Sequence, residues 1–299
     1  MAGRPGEGGQ GRHRPPALAL VAASAVSVQF GAAIATHLFS RVGPTGAVTL
    51  RLVLASVILA GVLRPRHLAM SRADLGVAVA FGVAMAAMNL TFYEAISRVP
   101  LGVAVTVEFA GPLAVTIVGT RRRTDLLWAV LAGGGVVLLS SGGGRHLDLV
   151  GVGMALVAGG CWAAYIILSK ETGRRFPGGS GLAVAMVVSA AVVLPIGLAT
   201  AAGRMLHPEA LGLGAAVALL SSALPYSLEL TALRRVTPRA FGVLLSLDPA
   251  VAALVGLVAL GQHLSWRELV ALGLVVAANA GNALVGEGEA VTASGVVPD

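Results

Sequence analysis

From Ala17 onward the sequence is a succession of uncharged apolar runs, each long enough to cross a bilayer: Ala17 to Ser40, Leu75 to Tyr93, Leu126 to Gly144, Leu149 to Ser169, Phe176 to Gly203, Ala210 to Leu228 and Leu269 to Gly286. A hydrocarbon core about 30 Å thick takes ~20 residues of helix, and inside it each backbone polar group has to be satisfied within the segment. Three further runs of that length carry one charge each: Pro44 to Leu63 around Arg51, Leu101 to Thr120 around Glu108, and Ala240 to Leu260 around Asp248. The pattern predicts an all-α integral membrane protein with ten transmembrane helices. Composition agrees. Charged residues make up 12% of the chain, and apolar residues 56% with 40 glycines besides, whereas a soluble domain carries about 25% charge. A water-soluble globule is excluded, and so is a disordered chain.

The segments outside the runs are short. Residues 1–16 are rich in Gly, Pro and Arg without an apolar period and read as a disordered cytoplasmic tail; residues 287–299 form a second cytoplasmic tail. Gly6, Gly8 and Gly11 match GxGxxG, but no strand precedes them and no βαβ unit can follow, so the match is chance in a low-complexity segment. The first run has a second reading as a signal peptide, since Arg12 and Arg14 precede it and Ala33 and Ala35 form a small-x-small pair. Its length argues for retention. One cysteine, Cys161, permits no internal disulfide, and the six scattered histidines show no ligand spacing, so neither a metal nor a cofactor is expected. The net charge of +7 sits in short loops rather than on one continuous face, which argues against a nucleic-acid partner. No nucleophile–base pairing or phosphate loop is evident, and loops this short leave no room for a soluble catalytic domain; an enzyme is not expected.

The basic residues orient the chain. Arg4, Arg12 and Arg14, then Arg64, Arg66 and Arg72, Arg121 to Arg123, Lys170, Arg174 and Arg175, and Arg234, Arg235 and Arg239 occupy alternate loops. The intervening loops hold only Arg41, Arg98, Arg145, Arg204 and Arg267. The positive-inside rule then places both termini in the cytoplasm.

The segment Ala95 to Pro112 aligns without gaps on Ala232 to Pro249, with Ala95 matching Ala232, Arg98 Arg235, Val99 Val236 and Pro112 Pro249. A repeat of this length implies two five-helix halves, residues 17–144 and 145–286. Five is odd, so the second half is inverted relative to the first, an arrangement typical of secondary transporters whose site lies near the midplane between the halves.

Pro44 to Leu59, Asn89 to Val115 with its VEFAGPLAV core, Ala155 to Ser169 around Gly160, Cys161 and Trp162, and Ser221 to Leu254 with ALPYSLE and LDPA resemble the threonine and homoserine exporters. These form a branch of the drug/metabolite transporter superfamily built from two EamA repeats. The likeness covers nearly the whole chain after Pro16. It implies ten helices in a bacterial inner membrane and export of small hydrophilic amino acids driven by the proton gradient. Two departures stand out: Leu260 to Ser265 reads LGQHLS where relatives usually have LGExLT, so Gln262 replaces an acid, and Asp248 stands where Glu is frequent.

A charge at the centre of a span costs roughly 2.5 to 3.5 kcal/mol on insertion scales, so Arg51, Glu94, Glu108, Glu229 and Asp248 each need an offsetting role. Glu108 and Asp248 both reach toward the midplane, and in the repeat alignment Glu108 falls opposite Leu245, one turn from Asp248. A carboxyl sealed from water favours its protonated form and gives the proton up when water arrives, which is what proton coupling requires. Either acid is thus a candidate coupling group. The alternative is a protonated acid hydrogen-bonded to a neighbouring helix. Arg51 can receive a substrate carboxylate or neutralise an acid. Glu229 sits near a helix end, where snorkelling or pairing with Arg234 competes with a role in binding. Glu94, with Arg98 four residues on, suggests an i,i+4 pair. Gln29 and Asn89 offer hydrogen bonds at depth, Tyr93 and Tyr226 an aromatic face, and for each of these packing is the competing role. Gly159 and Gly160, with Gly133 to Gly135, read as close-packing positions.

These features point to a secondary transporter that exports threonine, homoserine or a related amino acid by proton antiport with alternating access. The partners expected are the amino acid, protons and membrane lipid, and a homodimer is compatible with the architecture. The alternative keeps the fold and changes the cargo to a nucleoside, an organic cation or another metabolite.

Overall fold

The computed structural model describes residues 17–63, 71–120, 123–140, 148–176, 180–225, 228 and 245–285, and among them the secondary structure is helical throughout. The first two apolar runs form one element, α1 (Ala17–Leu63), interrupted at Gly43, whose φ of 71° and ψ of 169° lie where side-chain-bearing residues are strained. Pro44 starts the second half of the rod, where its missing N–H leaves no bond unmade. The next element, α2 (Arg72–Ile96), begins at a capping box in which Ser71 and Asp74 satisfy each other's backbone N–H groups. It is followed by α3 (Leu101–Glu108) and α4 (Ala110–Thr120), which divide one expected span at Phe109. Pro112 explains the division: it offers no N–H to the Glu108 carbonyl four residues earlier.

Then come α5 (Arg123–Ser140), α6 (Leu149–Arg175) capped by Asp148, and α7 (Ser180–Met205). After these, α8 (Pro208–Ala218) runs into a π turn over Leu219–Ala223. The last two are α9 (Asp248–Leu260), ended by a left-handed Gly261, and α10 (Trp266–Val285). The expected count of ten transmembrane helices is not confirmed among the described residues. The first two runs are joined, the fourth is broken, and the ninth is described from Leu245, with residues 240–244 outside the described set. Among the described residues the stretches long and apolar enough to cross a membrane are Ala19–Val62, Arg72–Ile96, Leu149–Arg175 and Ser180–Met205; Leu101–Val115, Leu127–Leu138, Pro208–Ala223 and Asp248–Leu260 are shorter apolar helices.

The helices pack in crossed pairs: α2 on α6 and α7, α1 on α7, α8 and α9, α4 on α6, α3 on α9, and α5 on α10. Small residues set the crossings, since in lipid helices associate through close van der Waals contact. Gly111 meets Gly159 backbone to backbone, Gly102 lies on Ala253, Gly82 on Ala185 and Val188, and Gly135 on Ala271. Gly133, Gly134 and Gly160 depart from expectation: among the described residues nothing stands within 4 Å of where their side chains would begin. Large apolar side chains face outward instead, with Val57, Val62, Val130 and Val258 each more than half exposed. That distribution suits a hydrocarbon surround.

Ion pairs hold helix ends. Arg175 Nη1 bonds Asp74 at 3.2 Å and Arg175 Nε bonds Glu171 at 2.7 Å, joining the start of α2 to the end of α6. Arg98 bonds Asp148 at 3.2 Å at the other end of the same helix pair. The pair expected between Glu94 and Arg98 is thus replaced: Arg98 turns to the cap of α6, and Glu94 accepts from the Thr45 hydroxyl at 3.2 Å. Arg41 pairs with Glu209 between α1 and α8.

Candidate functional site

Arg51 lies in the second half of α1, about seven residues and ~10 Å from its start. Its guanidinium is held from two sides. Nη1 donates to the Tyr93 hydroxyl at 3.4 Å and Nη2 to the Ser221 carbonyl at 3.2 Å, while the guanidinium carbon stands 5.6 Å from the centre of the Tyr93 ring. Tyr93 is fully buried on α2 and wedged against Phe39 and Phe92, with ring centres at 5.8 and 6.4 Å. The Ser221 carbonyl belongs to the π turn, where the wider winding loosens the regular i−4 ladder. Its neighbour, the Leu220 carbonyl, accepts from Ser27 on the first half of α1 at 2.7 Å. Both halves of α1 therefore grip the same turn. Among the described residues Arg51 Nε is buried without a hydrogen-bond partner, and a donor left unpaired in such a place is costly unless a ligand takes it.

Glu108 closes α3 and is 8% exposed. Among the described residues its carboxyl makes no hydrogen bond or ion pair, while the charges of Arg51 and Asp248 both act on it. Asp248 opens α9, where the helix N-terminus favours a negative charge. On the far side of Glu108 stands α6. Gly159 allows that helix to lie directly on the Glu108 carbonyl, Cys161 is near enough to feel the Glu108 charge, and Trp162 packs edge-on against Phe109 with ring centres 4.8 Å apart.

The structure thus brings together Arg51, Tyr93, Glu108 and Asp248 from α1, α2, α3 and α9. Gln29 and Asn89 are buried but do not bond to that group: Asn89 Nδ2 donates to the Met85 carbonyl one turn back at 2.9 Å, and Gln29 Oε1 has no partner among the described residues. Tyr226 and Glu229 lie outside the described residues. Sequence reasoning missed the Ser221 carbonyl and the Ser27 hydroxyl. A main-chain acceptor carries no residue-type signal, and the only hint was the Ser221–Ser222 pair in an otherwise apolar helix. Among the described residues no three His, Cys, Asp or Glu side chains gather as a metal site. A cation and two acids at depth, of which Arg51 keeps an unmet donor, suit a small ligand bearing both signs of charge.

Residues 149–283 match the model of the EamA-like transporter family. The chain is 41% identical over 271 residues to the threonine/homoserine exporter RhtA of Escherichia coli strain K12, covering 90% of this chain and 91% of that protein, and equally so to RhtA of Salmonella typhimurium strain LT2. The transporter YwfM of Bacillus subtilis is 30% identical over 210 residues, 65% of this chain and 70% of its own. A crystal structure covering 91% of this chain and 97% of its own superposes with a TM-score of 0.58 at 18% identity, a likeness of fold.

Proposed function

Since the chain belongs to the EamA-like transporter family, we propose that it exports threonine, homoserine or a closely related amino acid across a bacterial inner membrane, exchanging it for protons by alternating access. The observation that carries this reading is the Arg51 group: a guanidinium fixed by Tyr93 and Ser221, its Nε unmet among the described residues, whose charge acts on the buried Glu108 as that of Asp248 does. The resemblance to RhtA over 90% of the chain supports the cargo. Arg51 receives the substrate carboxylate, Glu108 or Asp248 its ammonium, and Gln29 or Asn89 the side-chain hydroxyl. Tyr93 orients the arginine. When the site opens to one side, Glu108 and Asp248 exchange protons with that side; when the amino acid binds, its ammonium takes the proton's place.

The two halves, 17–144 and 145–286, are inverted copies in this reading, with both termini cytoplasmic and the flanks in lipid. The packing supports it. The second half of α1 lies on α7, α3 on α9 and α5 on α10, each a pair of corresponding elements, while α2 on α6 has its counterpart in the π turn after α8, where Leu220 and Ser221 meet Gly31 of the first half of α1. The interruption at Phe109 is matched by the turn at Ser246, its aligned position, each followed three residues later by proline. A two-fold axis in the membrane plane produces such pairings. Inverted vesicles supplied with labelled threonine or homoserine test the function: accumulation that rises with an imposed proton gradient is expected. Failure of both solutes to accumulate refutes the cargo.

A further inference from the structure

The turn between α9 and α10 reaches back into the first half of the chain. Gly261 adopts a left-handed φ of 62°, and the Gln262 N–H returns to the Gly256 carbonyl at 3.0 Å, which closes the end of α9 around a left-handed glycine. At the other end of the loop, Ser265 and Glu268 cap α10 reciprocally, the Ser265 N–H donating to Glu268 at 2.5 Å and the Glu268 N–H to Ser265 at 3.4 Å. A five-residue loop tied at both ends has little freedom. It presents the Gln262 side chain, whose Oε1 accepts the Leu101 N–H at 3.0 Å.

Leu101 is the first residue of α3, and the residue before it, Pro100, supplies no side-chain cap. Leu101 is fully buried, so water does not substitute for the missing acceptor. Beside this contact Gly102 lies on the backbone of Ala253, and Gly256 leaves room for the Gln262 amide. The two helices run in opposite senses from here: α3 leads from Leu101 to Glu108, and α9 leads back to Asp248. The clamp therefore sits at one end of a tight helix pair and the two acids at the other, about 10 Å away.

We infer that Gln262 is a positioning residue, which by capping α3 across the two halves holds Glu108 in register with Asp248. A glutamine serves because the role asks for an acceptor, and a carboxylate in its place offers the same oxygen. The consequence for transport rests on the proposed proton coupling; the clamp itself does not.

The test uses the full-length protein. In hydrogen–deuterium exchange of purified protein, Gln262→Leu is expected to speed exchange of the amides at 101–104 about tenfold, the effect of losing one buried partner, while Gln262→Glu keeps them protected. In proteoliposomes the stimulation of threonine export by a pH gradient falls several-fold in Gln262→Leu at unchanged apparent KM and returns in Gln262→Glu. Gln262→Asn, one methylene short of Leu101, gives an intermediate effect and stands in where the leucine variant does not insert. Unchanged exchange in Gln262→Leu overturns the clamp, as does equal damage in Gln262→Glu. Altered exchange with wild-type gradient stimulation overturns the link to Glu108. A wild type without gradient stimulation refutes the coupling proposed above and leaves the exchange measurement to decide the clamp.

Discussion

Replacing Arg51 by lysine keeps the positive charge at membrane depth and removes the planar fork, which isolates what the guanidinium's shape contributes. In the structure Nη1 is engaged by the Tyr93 hydroxyl at 3.4 Å and Nη2 by the Ser221 carbonyl at 3.2 Å, leaving Nε for a ligand. These partners lie on different helices, and one ammonium on a flexible stem cannot satisfy both and still meet a carboxylate in a fixed direction. The variant forfeits one charge-assisted hydrogen bond to substrate, about 1.5 to 3 kcal/mol, which corresponds to a rise of roughly 10- to 150-fold in dissociation constant. The measurement is the apparent KM for labelled threonine in inverted vesicles, normalised to inserted protein, beside the melting temperature in detergent. The expected outcome is a KM raised at least about tenfold with the fold intact. A KM within threefold of wild type would show that Arg51 does not carry the carboxylate, and a loss confined to maximal rate would assign it to the conformational cycle instead.

Other outcomes follow from the same geometry. Glu108→Gln is expected to bind threonine but to lose the pH dependence of export, read as efflux rates at several external pH values; retained wild-type dependence removes Glu108 from coupling. Gly111→Ala puts a methyl into the Gly159 backbone and should destabilise by about 1 to 3 kcal/mol, whereas Gly160→Ala, facing open space, should stay within about 0.5 kcal/mol; thermal melts of the two separate close packing from mere helix propensity. The clasp between α2 and α6 should weaken in acid. Hydrogen bonds from Ser71 and then Arg175 hold the Asp74 carboxyl below its ordinary value, and Arg175 does the same to Glu171. Acids depressed in the folded state stabilise it above the ordinary carboxylate range, and that contribution is lost as pH falls through the lowered values. Melting temperature against pH should therefore drop less steeply in Asp74→Asn than in wild type, and parallel curves would refute the assignment.

Much of the site was legible because burying charge in lipid is costly enough to single residues out. Arg51, Glu108 and Asp248 stood alone in apolar runs, and the structure brings all three together with Tyr93. The aligned prolines Pro112 and Pro249 each stand three residues after an interruption, at Phe109 and at Ser246, which the run lengths alone did not mark. Glu94 shows the limit. Four residues from Arg98 on one helix, it satisfied the spacing rule, yet Arg98 found Asp148 and Glu94 found Thr45, partners distant in sequence. Glycines divide the same way: Gly159 lies on Glu108 while the adjacent Gly160 faces away, a difference set by which side of α6 meets α3.

Length, hydropathy and proline position act within one segment, so the primary structure alone settled that the chain is helical, how far most runs extend, and which charges lipid would not tolerate unassisted. Which oxygen meets which N–H was decided in three dimensions. The Ser221 carbonyl that steadies Arg51 and the Gln262 oxygen that caps α3 become partners only when helices far apart in the chain cross within 3 to 4 Å. A hydrogen bond depends on that approach, and no one-dimensional pattern encodes it.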